Sequence, residues 1–245
     1  MSKAHLDSLE RDWAQIGVLF ACEPSGAAPD PEKLLLDTAR KCPENARLLP
    51  LAVTWLVSYG QFIARHRLKR LVQVNLEEGS QAVLGLILEE AVQHGATREL
   101  LIVSDVCRPL GAPAPLSGAQ RGRPSLARIA ERRASELSRK WGVWAPPVEL
   151  KPDAVRPVSW LLGCNPGYRE RIIRKGDLRV SIIETLRRDV PRQSARSELA
   201  LAQLSGATRP AVRKALVALE LEGVVTVGEG ASNDRDHPVK LWEAG

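Results

Sequence analysis

The residues best suited to chemistry in this sequence are cations that cluster between positions 208 and 214. Arg209 and Arg213 are four residues apart, so on a helix both side chains project from one face. Thr208 stands at the expected start of that helix, where free N–H groups favour an anion. Arginine can bind guanine or clamp a phosphate with two hydrogen bonds. The pattern therefore predicts a surface that binds a polyanion.

Residues on either side of these arginines extend the predicted surface. Residues 187–214 carry a net charge of +5. Arg196 and Lys214 are placed to reach phosphates that flank a recognised base, and such contacts fix orientation rather than sequence. The predicted DNA-contact set is Arg196, Ser197, Thr208, Arg209, Arg213 and Lys214.

Three short helices and a hairpin are expected to position this set. Apolar spacing predicts a helix from Leu178 that is closed by Pro191, and Ser197 caps a second helix over 198–204. A turn at 205–207 precedes the third helix, which ends at Gly223. Residues 224–227 and 238–242 predict the two strands of a hairpin. This is the element order of a winged helix-turn-helix domain.

The same segment resembles the winged-helix domains of bacterial transcription regulators, in particular the gluconate-repressor and multiple-antibiotic-resistance types. The resemblance lies in Glu198-Leu-Ala and in Gly206-Ala-Thr-Arg-Pro-Ala-Val-Arg-Lys-Ala-Leu-Val-Ala-Leu-Glu-Leu-Glu-Gly-Val-Val225. In those families the Thr-Arg-x-x-Val-Arg run opens the recognition helix and Leu-Glu-x-x-Gly-Val closes it. The resemblance implies a regulator that reads the major groove of DNA. The gluconate-repressor family places this domain first, whereas here it comes last, and residues 1–165 resemble no family known to us.

An acidic stretch begins at the end of the expected recognition helix and continues beyond it. Residues 220–236 contain five acids and one base, Arg235. A hairpin that touches DNA is normally basic, because phosphates repel carboxylates. Either the hairpin stays clear of the duplex, or the domain binds protein or dimerises. We favour DNA binding, because the recognition helix is the more informative part.

A second hint of nucleic-acid binding is the run Arg121-Gly122-Arg123-Pro124. It resembles the core of an AT-hook, in which Arg-Gly-Arg lies extended in the minor groove of A·T-rich DNA. Glycine suits that groove because a side chain would strike its floor. The alternative is a plain linker that ends at the start of the following helix.

The basic residues are concentrated in the middle of the chain. The net charge is +6 for the whole sequence, −2 for residues 1–104, +8 for 105–176 and zero for 177–245. A basic region of this kind is typical of proteins that meet a polyanion or an acidic partner.

Proline and glycine spacing divides the chain into four parts. We expect a helical domain over 1–107, a Pro/Gly-rich linker over 108–124, a basic helical connector over 125–176 and the winged helix-turn-helix domain over 177–245. Within them, Asp30 and Pro31 start one helix, and Gly60 is a possible joint within 51–71. A single helix is expected over 125–141. The predicted fold is mainly α, with an N-terminal helical bundle or array and a C-terminal hairpin.

Several function classes are not expected. The four cysteines and four histidines have no metal-ligand spacing, and no phosphate loop, dinucleotide fingerprint or nucleophile elbow occurs. We therefore expect that the protein binds no metal or cofactor and is not an enzyme. The longest apolar stretch is too short for a bilayer, and the scattered thiols suit the cytoplasm.

Two functions remain open at this point. The first is a transcriptional regulator that binds double-stranded DNA, as a homodimer, with the N-terminal helices dimerising or sensing a signal. The second is a helical adaptor, antitoxin or assembly subunit of a defence or DNA-processing system. Such a subunit would bind a protein partner or nucleic acid without sequence preference.

Overall fold

A computed structural model describes residues 3–191, 196–228 and 238–241, with side chains from Ser8 onward. The described residues are mainly α-helical, as predicted, and end in a small three-stranded antiparallel sheet. None of the described helices is long and apolar enough to cross a membrane. The helices are α1 (Lys3–Gln15), α2 (Pro31–Lys41), α3 (Leu48–Tyr59), α4 (Arg65–Asn75), α5 (Glu78–Gln93), α6 (Leu101–Ser104), α7 (Pro124–Arg133), α8 (Glu136–Lys140), α9 (Val158–Cys164), α10 (Arg169–Arg174), α11 (Leu178–Arg188), α12 (Glu198–Ser205) and α13 (Arg209–Leu221). The strands are β1 (Ala114–Pro115), β2 (Val143–Trp144), β3 (Arg196–Ser197), β4 (Val225–Val227) and β5 (Pro238–Leu241).

Local signals set the ends of the first helices. The Asp30 carboxylate accepts hydrogen bonds from the N–H groups of Glu32 and Lys33, and Pro31 occupies the first turn of α2. Gly60 lies in a short turn that separates α3 from α4. Of the two alternatives for residues 51–71, two shorter helices are therefore confirmed.

One apolar core extends from Leu9 to Tyr168. Trp13 and Trp55 meet edge to face within it, with ring centroids 5.7 Å apart. Leu116 and Trp141 are also buried in this core, although the sequence assigned them to a linker and a connector. Apolar burial is thus continuous across the three N-terminal parts expected from the sequence.

The expected single helix over 125–141 is wrong. The chain leaves helical geometry after Arg133, because Ser135 starts a new helix instead of continuing the first. The Ser135 hydroxyl accepts a hydrogen bond from the N–H of Ser138, and the Ser135 N–H donates to the carbonyl of Ala145. The break positions α8 before β2, which pairs in parallel with β1.

The C-terminal residues have their own apolar core, formed between α11, α12, α13 and the sheet. The sheet order is β3-β5-β4, and all pairs are antiparallel. The hairpin of β4 and β5 lies at the predicted positions, while β3 was not predicted. Gly206 ends α12 with a φ of 70°, which explains the tight turn before α13.

Helix α4 joins the two cores, because α11 and α12 both pack against it. Two glycines permit the close approach. A Cβ at Gly206 would lie 2.7 Å from the carbonyl oxygen of His66, and one at Gly176 would lie 2.1 Å from that of Ile63. Side chains at these positions would separate the chain segments.

Six charged side chains fill the same junction, and we call them the buried ion network: Asp30, Glu32, Arg67, Arg171, Glu184 and Asp189. Arg67 is fully buried and donates to Asp30 at 2.7 Å and 2.9 Å and to Asp189 at the same two distances. Its remaining N–H reaches Glu32 at 3.0 Å. Every donor of this guanidinium therefore has a carboxylate partner.

Arg171 extends the network from α10 to α11. It binds Glu32 at 2.7 Å and Glu184 at 2.8 Å. Burial raises the pKa of Glu32, whereas the pKa of Glu184 is lowered, because Arg171 and Arg188 outweigh the effect of its burial. The network links α2 and α4 to the C-terminal helices by direct charge pairing.

Candidate nucleic-acid interface

The start of α13 is open to solvent. Val212, Leu216 and Leu219 are buried beneath the helix, whereas Thr208, Arg213 and Lys214 are exposed. Helix α13 packs on α11, α12 and β4, while α4 packs on α11 and α12. The N-terminal helices therefore leave the predicted contact end of α13 uncovered.

Thr208 precedes α13 in extended geometry, as an N-cap residue does. Thr208 therefore takes the position expected from the sequence, but its hydroxyl makes no capping hydrogen bond. Pro210 lies in the first turn and contributes no N–H. The exposed hydroxyl and the helix start together offer donors to an anion.

One carboxylate holds both predicted arginines. Glu198 is buried, and its oxygens accept hydrogen bonds from Nε of Arg209 at 2.9 Å and from Nε of Arg213 at 3.0 Å. Burial raises the pKa of Glu198, but the hydrogen bonds from Arg213 and Arg209 outweigh burial and leave this pKa below its usual value. The hydrogen bond to Glu198 raises the pKa of Arg213. Two guanidinium groups are thus fixed side by side around one negative charge.

Arg213 remains available despite this pair. Its side chain is 61% exposed, and it meets Glu198 through Nε alone. The two terminal nitrogens make no hydrogen bond with any other described residue. Those nitrogens are the ones that a guanidinium uses for bidentate contacts with guanine.

The other predicted contact residues lie nearby but are engaged to different degrees. Arg196 is half-buried in β3, opposite Val239 of β5. The Ser197 hydroxyl accepts the N–H of Ala200 at 3.1 Å, so it caps α12 as predicted. Lys214 is exposed and forms no ion pair with a described residue. The geometry brings Arg209 and Arg213 together, places Ser197 directly before their shared carboxylate and leaves Lys214 free.

Glu198 is the member of this site that the sequence analysis missed. It lies 11 residues before Arg209 and 15 before Arg213, so no local spacing pairs them. Its burial at the first position of α12 depends on the packing of the C-terminal core, which a single sequence does not reveal.

Two acids of the 220–236 stretch are used within the fold. The Glu220 carboxylate accepts the N–H of Val227 at 3.3 Å, and Glu222 binds Arg179 at 2.8 Å and also Arg174. Glu229, Asp234 and Asp236 lie outside the described residues. Part of the acidic charge attributed to the hairpin is therefore neutralised by cations of α10 and α11.

The Arg121-Gly122-Arg123 run lies on the surface before α7. Gly122 has a φ of 76°, so this run makes a turn rather than an extended strand. Arg121 donates from Nε to the carbonyl of Pro115 at 2.8 Å, and both arginines are exposed. A minor-groove hook would require a different backbone at Gly122, and this role stays a prediction.

Comparisons with known proteins do not indicate a function. The chain has no significant match to a protein-family model, a curated protein or a solved structure. Among the described residues, no group of three or more His, Cys, Asp or Glu side chains is arranged to hold a metal ion. Any functional assignment must therefore rest on the geometry of this chain's own residues.

Proposed function

We propose that the protein is a transcriptional regulator that binds double-stranded DNA through α13 in a winged helix-turn-helix arrangement. The observation that carries the proposal is the exposed start of α13, where Arg209 and Arg213 share the buried carboxylate of Glu198. The order α11, α12, turn, α13, β4 and β5 supports it, since this order is typical of winged helices.

The contacts divide by the chemistry of each side chain. The terminal nitrogens of Arg213 suit a base edge in the major groove, with Arg209 beside it. Lys214 and Arg196 suit backbone phosphates, and Thr208 with the first turn of α13 suits a phosphate at a helix start. Glu198 restricts the rotamers of both arginines, so less side-chain entropy is lost when DNA binds.

A selection experiment tests the proposal. The full chain is used to select sequences from a pool of random duplexes, and fluorescence anisotropy compares the selected duplex with the starting pool. We expect the R209A/R213A variant to lose roughly 1–3 kcal/mol per lost base contact on the selected duplex. Its affinity for the pool falls less, because phosphate contacts remain.

The matched control is the R179A/R187A variant. It removes the same charge from α11 of the same domain, where both arginines pair with carboxylates. We expect it to keep the preference for the selected duplex. If both variants lose the same affinity for the selected duplex, net charge alone explains the loss, and α13 has no role in recognition.

A specific observation favours a second candidate, an adaptor or assembly subunit that binds protein. Val217 and Leu221 are four residues apart on α13 and are 54% and 85% exposed. An apolar pair on an open helix face is typical of a protein interface, including that of a homodimer. In this case the selection yields no preferred duplex, and sedimentation velocity shows self-association or a monomer that needs a partner.

A further inference from the structure

The segment between positions 121 and 139 carries six exposed arginines and two exposed acids, Glu131 and Glu136. We call the six arginines the arginine patch: Arg121, Arg123, Arg128, Arg132, Arg133 and Arg139. Arg128 and Arg132 are one turn apart on α7, about 6 Å along the helix axis. Arg121 and Arg123 flank the turn that leads into α7.

No arginine of the patch forms an ion pair with a carboxylate of the described residues. The hydrogen bonds that they make go to backbone carbonyls, as from Arg121 to Pro115 and from Arg139 to Ala134. Elsewhere in the fold, the guanidinium groups of Arg67, Arg171 and Arg213 all meet carboxylates. The patch is therefore a cluster of cations whose charge the described residues do not neutralise.

We propose that the arginine patch binds the backbone phosphates of duplex DNA without regard to sequence. A guanidinium matches a phosphate with two parallel hydrogen bonds, and arginine is favoured over lysine for such planar recognition. The proposal shares its ligand with the proposed function but does not depend on contacts made by α13.

The surroundings of the patch favour a duplex over a single strand. Proteins that bind single strands stack bases on aromatic rings. Trp141 is 3% exposed and packs against Gly85, and Trp144 lines a 390 Å³ cavity together with Pro146 and Pro147. The Trp141 ring is therefore too buried to stack on a base, and Trp144 is partly buried.

The same surroundings do not favour a lipid bilayer. Within 121–139, Ile129 is the one large apolar side chain that is exposed. Helices that lie in a membrane interface bury a broad apolar face together with their basic residues. An exposed basic surface with a single exposed apolar side chain suits an aqueous polyanion such as DNA.

The test measures how salt weakens binding of the full chain to a labelled 30-base-pair duplex of random sequence. The R123A/R128A/R132A variant is compared with R11A/R98A/R169A, which removes the same charge from exposed arginines that have no carboxylate partner among the described residues. If each patch arginine contacts one phosphate, the patch variant lowers the slope of log K against log salt by about 2 to 3. The control variant is expected to lower it by less than about 1. Unchanged thermal melts show that both variants are folded.

Equal slopes for the two variants would overturn the proposal, because net charge alone would then explain binding. Equally tight, patch-dependent binding to vesicles that contain phosphatidylserine would also overturn it in favour of a lipid surface. The R209A/R213A variant separates this inference from the proposed function. If that variant binds every duplex like the wild type while the patch variant does not, the regulator assignment fails and the patch remains.

Discussion

Two sets of arginines in this protein differ in what their charge meets. Arg67 is fully buried in the junction between the two apolar cores, and all five of its N–H donors reach carboxylates. The six arginines of the arginine patch are exposed, and the hydrogen bonds that they make with described residues go to backbone carbonyls. Arg67 therefore links segments that are distant in sequence, whereas the charge of the patch is not neutralised by any described carboxylate.

This difference limits what a charge count can reveal. Residues 105–176 carry a net charge of +8, yet Arg171 and Arg174 within that region bind carboxylates of the fold. In the C-terminal part, Arg209 and Arg213 share the charge of Glu198. The net charge of a region therefore does not give the number of its cations that lack a carboxylate partner within the fold.

The largest expected effect on stability comes from removing Arg67, the central cation of the buried ion network. Replacing Arg67 with Met removes the cation that the buried Glu32 shares with the partly buried Asp30 and Asp189. Breaking a buried pair in this way typically lowers the free energy of unfolding by about 3–5 kcal/mol. Urea denaturation of the full chain measures the loss.

The control for this prediction is Arg187→Met. Arg187 is partly exposed and meets the network through Glu184 at 3.4 Å. Glu184 keeps its closer partners Arg171 and Arg188, so this variant is expected to unfold close to the wild type. A similar small loss for Arg67→Met would show that the network does not hold the two cores together.

A smaller effect is expected from acid. Burial raises the pKa of Asp30, but the hydrogen bond and charge of Arg67 outweigh it and hold this pKa at about 2, below the usual 3.8. A lowered carboxyl pKa adds stability above about pH 4, and this stability is lost as pH falls toward 2. The shift corresponds to about 2 kcal/mol, which denaturation at a series of pH values measures.

Asp30→Asn isolates this charge effect. Asparagine can still accept the N–H groups of Glu32 and Lys33, so the start of α2 is kept while the charge pair with Arg67 is lost. We expect the variant to be less stable at pH 7 and to lose less stability between pH 4 and 2. If the free energy of unfolding falls equally in variant and wild type between pH 4 and 2, the loss comes from other groups, such as Glu184.

Features that depend on neighbouring residues could be predicted from the sequence. The start of α2 at Asp30 and Pro31, the break at Gly60 and the turn at Gly206 each depend on residues within a few positions. Helices α11, α12 and α13 and the two strands of the hairpin lie where apolar spacing placed them. The start of a second helix at Ser135 was missed, because the carbonyl of Ala145 that fixes it is ten residues away.

Features that depend on distant residues could not be predicted. Strand β3 exists because it pairs with β5, which lies more than 40 residues later. Arg67 and Asp189 are 122 residues apart, and Glu32 and Arg171 are 139 apart. No spacing rule joins such positions. The sequence therefore predicted the arginines of the candidate site, but it predicted neither Glu198, which binds them, nor the buried ion network.

The smallest expected change in stability comes from Glu198→Gln. This residue binds Arg209 and Arg213, which have a carboxylate partner although Arg213 is mostly exposed. Glutamine can still accept from Arg209 or Arg213, so we expect a loss of about 1 kcal/mol or less. The binding readouts should move in opposite directions. Removing a negative charge strengthens binding to random duplex, while less firmly held arginines lower the preference for a selected duplex.

Glu220→Gln is the matched control, because it removes one negative charge from α13 itself. The Glu220 carboxylate accepts a backbone N–H of β4 and pairs with no arginine of the described residues. We expect this variant to bind random duplex more tightly as well, but to keep the preference of the wild type. If both variants preserve that preference, Glu198 only offsets charge, and the fixed geometry of the two arginines has no part in recognition.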